Sequence, residues 1–230
     1  MQPLADLPRA WPATPLPGYN DRGDLLAATY ANLPFDWLPP IERDLDSEIR
    51  WLLREPPVDE SLAGRAIQAE LDALLPGKPI VLPPSFASFF ASGEPRTRVR
   101  SCTDCYLEFP DFVVSFGEGW LINFLADSQS VLFWLLYTGS DGEAVVATEY
   151  PPGFEWGDKD AEEKQRDLSR LASDAFVCAD SFSEFLYRFW IENEIFFRLA
   201  GRDAQRSSLT DEQRRYAEHY RDRMASRSAE

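Results

Sequence analysis

The chain is predicted to adopt an α+β fold, a mainly antiparallel sheet flanked by helices and preceded by a helical extension. Three observations predict it. Between Trp120 and Glu149 the runs Trp-Leu-Ile-Asn-Phe-Leu, Val-Leu-Phe-Trp-Leu-Leu-Tyr and Ala-Val-Val-Ala-Thr are separated by two short polar turns. That is the pattern of a β-meander. Apolar residues recur at helical spacing on both sides of it. The 230 residues, 44% of them hydrophobic, supply one sizeable core with an extension rather than two full domains.

Residues 1–20 hold five prolines and few charges, which predicts an arm rather than a helix. Leu25 to Leu33 is expected to form a short helix. A better one starts at Pro39-Pro40, with Ile41, Leu45, Ile49, Leu52 and Leu53 at helical spacing and Pro56-Pro57 as its stop. A third runs from about Asp59 to Leu75 on the stripe Ala63, Ile67, Leu71, Leu74 and Leu75. Pro79 to Pro84 is extended. A short helix then opens at Pro84 and runs through Ala91, burying Phe86, Phe89 and Phe90. Arg96, Arg98 and Arg100 alternate as in an edge strand with one basic face.

Strands are expected at Cys105 to Phe109 and Phe112 to Phe116. In the next strand Trp120, Ile122 and Phe124 share one face, with Leu121 and Leu125 on the other. Val131 to Tyr137 lacks alternation, which marks a central strand covered on both faces. Asp141-Gly142 signals the following hairpin. Pro151 to Asp167, rich in Pro, Gly and acids, is expected to be a surface loop. Ala175 to Cys178 makes a last strand. Ser181-Phe-Ser-Glu184 is a capping-box pattern opening the most apolar helix, closed by Gly201. Thr210-Asp-Glu-Gln213 repeats the pattern before a charged helix to about Met224.

The formal net charge is −16 and the pI is near 4.5. Such a chain repels nucleic acid and anionic lipid, so neither is an expected partner; a basic protein is the natural complement. The N-terminus is neither basic nor apolar enough for a signal peptide, and no run approaches the ~18 apolar residues of a membrane span. Three cysteines are an odd count, against a secreted disulfide scaffold. A cytoplasmic location is expected.

The helix, the Leu82-Pro83 pair, the short helix, the Trp120-Leu-Ile-Asn-Phe strand, the Gly139-to-Val145 turn and strand, and Asp180-Ser-Phe-Ser-Glu-Phe-Leu186 come in one order. Together, over roughly residues 60–200, this resembles the SUKH superfamily, which includes yeast-type cell-wall regulators and bacterial immunity proteins against polymorphic toxins. The resemblance implies an α+β core, expected at 59–200; residues 1–58 are expected to form an arm and helical extension and 201–230 a charged helix. It implies protein binding, often of a toxin nuclease, and carries over no catalytic residues. The Pro-rich front end and Cys102-Thr-Asp-Cys105 lie outside the superfamily's general features.

Local chemistry offers competing readings. Two thiolates spaced as Cys102 and Cys105 can hold half a zinc site or form a redox pair, but a structural zinc needs four ligands and only Cys178 and His219 remain. No metal and no cofactor is expected. His219, the only histidine, lies on the charged terminal helix and is expected to be solvated. Gly117-Glu-Gly119 lacks the third glycine and following helix of a dinucleotide site; a hairpin turn explains it. Asp127, Asp141 and Glu143, and Asp104, Glu108 and Asp111, suit turns as well as chemistry. Between Asp141 and Glu194 there are fourteen Asp or Glu against five Lys or Arg. Tyr150, Phe154, Glu155, Trp156, Asp158 and Asp160 lie in that stretch and are the expected contacts to a basic toxin domain. The other reading folds those aromatics back on the sheet. The expected function is a non-enzymatic toxin-neutralising immunity protein; the alternatives are a regulatory or scaffold protein, or a thiol- or carboxylate-based enzyme.

Overall fold

The computed structural model describes residues 4–20, 30–46, 49–52, 68–69, 71–73, 80–91, 98–107, 113–150, 161–200 and 208–227. Its centre is a six-stranded antiparallel sheet. The strands are β3 (Tyr106–Leu107), β4 (Val113–Phe116), β5 (Gly119–Ala126), β6 (Phe133–Gly139), β7 (Gly142–Thr148) and β8 (Phe176–Ala179). β5, β6, β7 and β8 follow in order, while β3 and β4 share the outer edge of β5, one at each end. An upstream pair, β1 (Trp11–Ala13) and β2 (Ala31–Leu33), forms a separate ribbon. The helices are α1 (Pro84–Ala91), α2 (Ala161–Asp174), α3 (Phe182–Leu199) and α4 (Asp211–Arg227).

The meander closes where its turn chemistry says it should. Gly142 has φ 121°, a conformation that L side chains avoid. Gly119 faces Gly139 across the β5–β6 pair, and a Cβ on it would meet the Thr138 carbonyl at 2.5 Å. At the other end Asp127 Oδ1 accepts from the Gln129 amide at 2.9 Å, a local Asp turn. β6 is buried along most of its length. Trp134 and Leu136 enter the larger apolar cluster with α1 and α3, whereas Leu135 and Tyr137 enter a smaller one with Leu171 of α2. The central, doubly covered strand is therefore as expected. Leu125 is not: it joins the side of Ile122 and Phe124, because the register slips between Asn123 and Leu125 and a bulge resets the alternation.

α3 is the spine of the larger core. Ser181 caps it, its hydroxyl accepting from the Glu184 amide at 3.1 Å, and Glu184 reaches back to the Asp180 amide at 3.2 Å. Phe182 packs edge-on against Phe86 (4.9 Å), Phe124 (5.3 Å) and Phe89 (5.6 Å). The N-terminal arm adds to the free edge of β8: the Ala10 amide donates to the Val177 carbonyl and the Val177 amide to the Pro8 carbonyl, at 3.0 and 2.8 Å. An exposed sheet edge is a template for pairing, and the arm covers part of this one. One cluster draws on Trp11, Leu16, Phe182 and Tyr220, so all three expected segments share a core. No helix among the described residues is long and apolar enough to cross a membrane.

Several elements differ from expectation. Ala31–Leu33 is strand, not helix, because it pairs in register with Trp11–Ala13; residues 21–29 lie outside the described residues. The expected helix after Pro39-Pro40 is absent at 41–46 and 49–52. The Pro39 carbonyl accepts from Arg188 at 2.8 Å, Arg43 pairs with Glu212 and Arg215 with Glu42, and Ile49 has φ 50°. Contacts to α3 and α4 override the local propensity. Of the helix expected at 59–75, residues 68–69 and 71–73 are helical. Arg98 and Arg100 form no strand: Arg98 donates to the Leu52 carbonyl and Arg100 pairs with Glu194. The expected loop at 151–167 is helix from Ala161 onward; Glu162 and Glu163 sit where a helix N-terminus favours acids, and Leu168, Leu171 and Ala172 give it an apolar stripe.

Truncating Phe182 removes the ring shared by α1, β5 and α3. Phe182→Ala is expected to lower unfolding free energy by about 3–5 kcal/mol, measured by urea denaturation.

Candidate functional site

Glu192 sits midway along α3 and is fully buried. Its Oε1 accepts from the Trp11 indole at 2.8 Å, the Tyr220 hydroxyl at 2.7 Å and the Tyr216 hydroxyl at 3.1 Å. Its Oε2 accepts from the Thr14 amide at 2.8 Å. Four donors from the arm and α4 thus converge on one carboxylate of α3. Burial pushes Glu192 up to about 7, against the pull of those donors. Its chemistry is that of a tie between segments: the donors come from the protein's own framework.

Beside this tie, residues 39–42, α3 and α4 enclose a cavity of about 170 Å³. Pro39, Pro40, Tyr187 and Tyr216 give it flat walls; Glu42, Glu212, Arg215 and His219 give it charge and polarity. Burial raises the pKa of Glu212, and hydrogen bonds from Arg43 and Tyr187 more than offset this, so the carboxyl is held below its ordinary value. The Glu42–Arg215 pair is solvent-facing, with Arg215 Nη2 2.6 Å from Glu42 Oε2. His219 is half-buried in the cavity lining, not solvated. Burial lowers its pKa, the nearby Arg223 adds to this, and a hydrogen bond to the Trp37 backbone opposes it. Among the described residues its Nε2 is buried without a hydrogen-bond partner. The sequence misplaced it because α4 looks charged, yet Tyr216, Ala217 and Tyr220 form a buried stripe on that helix.

Cys102 and Cys105 precede β3, beside the Ala126 end of β5, and Cys178 lies in β8. Cys102, Cys105 and Cys178 are free. Cys105 Sγ is 3.1 Å from the Tyr30 hydroxyl and 3.2 Å from the Thr103 hydroxyl, and Tyr30 donates to Asp127 Oδ2 at 3.0 Å. Burial pushes the Cys105 thiol up, and Cys178, fully enclosed, higher still. A raised pKa holds a thiol in its less nucleophilic form. Cys178 packs as a small apolar residue, its Sγ 3.3 Å from the Val145 carbonyl. Among the described residues no group of three His, Cys, Asp or Glu is placed to hold a metal ion.

The expected contact residues are split. Tyr150 is half-buried, its hydroxyl donating to Asp167 at 3.1 Å and its ring under the Arg170 guanidinium at 5.3 Å. Phe154, Glu155, Trp156, Asp158 and Asp160 lie outside the described residues. Asp127 is buried and serves its turn. Asp141 accepts from Tyr137 at 2.6 Å, and burial pushes the half-buried Glu143 up. Asp104 is exposed with φ 55°; Glu108 and Asp111 lie outside the described residues. Exposed Glu118 and Asp141 occupy turns at one end of the sheet.

Comparison with known protein families, curated proteins and solved structures finds no match to this chain.

In Glu192→Gln either orientation of the amide sets its NH₂ against an N–H, that of Trp11 or that of Thr14. The variant is expected to lose about 1–3 kcal/mol. The folded protein holds the Glu192 proton to about 7, whereas a carboxyl free of the fold releases it near 4.5. Stability from this group is therefore full below the unfolded value and falls as pH rises through 7. The gap between the parent chain and Glu192→Gln should narrow between pH 5 and 7.5 in urea titrations.

Proposed function

We propose that this chain is a non-enzymatic protein-binding module whose acidic exterior engages a basic partner, and that it acts as an immunity protein occluding a toxin domain. The supporting observation is how the positive charges are used. Arg9, Arg43, Arg100, Arg188, Arg214 and Arg215 are each held in an ion pair with a carboxylate of the same chain. Their fields are cancelled locally, and the surplus of −16 falls to the remaining acids, among them exposed Glu118, Asp141, Glu149, Glu162 and Asp174. A surface of that sign repels polyanions and speeds association with a cation-rich cleft. The resemblance to the SUKH superfamily supports the same reading.

In this mechanism the core holds a rigid platform and the segment from Tyr150 to Asp160 supplies contacts. Docking covers the partner's basic active-site cleft and excludes its substrate.

Co-expression with the product of a neighbouring toxin gene tests the proposal. The parent chain should restore growth. A variant with Tyr150, Phe154, Glu155, Trp156, Asp158 and Asp160 all replaced by Ala should fold yet protect at least ~10-fold less, the scale of losing a few interface anchors. Equal protection by the two chains would sink the assignment of those contacts. A regulatory protein without a toxin partner would give no protection from either.

A further inference from the structure

The N-terminal arm lies on the edge of β8 like a strand that cannot lengthen. Its one bridge to β8 is parallel and joins Arg9 to Val177. The Val177 amide donates to the Pro8 carbonyl at 2.8 Å, and the Ala10 amide donates to the Val177 carbonyl at 3.0 Å. In such a ladder the residue after each bridging position is the donor. Bridges two residues to either side would fall at Leu7 and Trp11 and would draw on the N–H groups of Pro8 and Pro12. Proline has none. Residues 4–10 therefore hold β8 by two backbone hydrogen bonds among the described residues. This shields the edge from stray pairing, but a segment with an N–H at both places is not limited to one rung.

The side chains of the arm show what this edge accepts. Leu7 is buried in the smaller apolar cluster with Val177 and Leu171. Arg9 pairs with Asp180, the residue after β8, and its guanidinium lies 4.4 Å from the centre of the Phe35 ring. The Arg9 and Asp180 side chains are 46% and 67% exposed, and a solvent-facing ion pair of this kind exchanges at little cost. From Trp11 onward the chain is tied to Glu192. Residues 4–10 are thus the part of the arm that can leave the edge while the rest stays in the core. What they present is an extended segment with an apolar residue two positions before an arginine.

We infer that the β8 edge, with Asp180 and Phe35, is a docking site for an extended segment of a basic partner protein, one with an apolar residue two positions before an arginine, and that residues 4–10 occupy this site in the free chain. The preference for such a segment stands on how the arm is held. That a basic protein brings it rests on the function proposed above. Docking on the acidic exterior raises the effective concentration of the segment to the order of millimolar, where it competes with the tethered arm for the strand edge.

The probe is a capped peptide, Leu-Ala-Asp-Leu-Ala-Arg-Ala, which copies Leu4 to Ala10 with alanine in place of Pro8. It is titrated into the full chain while the Val177 amide signal is followed by NMR. Two variants loosen the arm: Leu7→Ser empties its apolar anchor, and Arg9→Ser changes an exposed side chain and leaves the core intact. The peptide should move the Val177 signal saturably in Leu7→Ser, with a Kd on the order of 1 mM. The parent chain should bind at least ~10-fold more weakly, because its own arm fills the site, and Arg9→Ser should fall between the two. Replacing the peptide's arginine by alanine should weaken binding about fivefold, the scale of an exposed ion pair and a cation–π contact. N-methylation of its last alanine removes the N–H that meets the Val177 carbonyl and should abolish binding. A Val177 signal unmoved in both variants, equal affinity for all three chains, or binding that survives N-methylation would overturn the docking site. Equal binding by the alanine peptide would overturn the choice of an arginine-bearing segment. No toxin is present in this titration, so its failure leaves the acidic docking surface standing. Loss of protection in cells with normal peptide binding would remove the docking surface alone.

Discussion

Four hydrogen-bond donors meet on the buried carboxylate of Glu192, and much of the molecule follows from that meeting. Trp11 and Thr14 bring the N-terminal arm to α3; Tyr216 and Tyr220 bring α4. A carboxylate stripped of water is tolerated only where its lone pairs are filled. The arm and the last helix therefore belong to the same core as the sheet. With Trp11 fixed, its ring lies edge-on against Phe185 at 5.8 Å, and Pro8 to Ala10 reach the edge of β8. The same convergence holds α4 beside residues 39–42 and so shapes the cavity that contains His219.

The sheet was legible in the sequence because its signals are local. Period-two alternation, the Asp141-Gly142 turn and the unalternating run of β6 each act within a few residues, and each gave the right element. Ser181 caps its helix while Glu184 reaches the Asp180 amide instead of that of Ser181, and the second capping box is complete: the Gln213 amide donates to the Thr210 hydroxyl and the Thr210 amide to the Gln213 side chain, at 3.2 and 3.1 Å. What failed depends on distant partners. Ile41, Leu45, Ile49 and Leu52 have helical spacing, yet the chain there is fixed by Arg43 and Glu42 reaching α4 and by Arg188 reaching the Pro39 carbonyl. Leu125 changed face because a bulge has no signature in apolar pattern alone.

The polar groups were harder still. Glu192 carried a readable signal, an acid between Phe189 and Ile195 on a helix rich in apolar residues, but its donors come from residues 178 and 181 positions upstream as well as from α4. His219 looked solvated because Glu218 and Arg215 flank it; the cavity that half-encloses it needs residues 39–42 to exist. Charge was legible as a total but not as a distribution. Six arginines are held in ion pairs inside the chain, and the net charge of −16 falls to the other acids; the proposed basic partner rests on that distribution.

Native-state hydrogen exchange at the Thr14 amide and the Trp11 indole tests the central tie most directly. If Glu192 binds the arm into the common core, both protons exchange only when the whole protein unfolds, with the same opening free energy as the Ile122 and Leu136 amides of the sheet. Exchange of Thr14 and Trp11 through a much smaller local opening, with the sheet still protected, would contradict it.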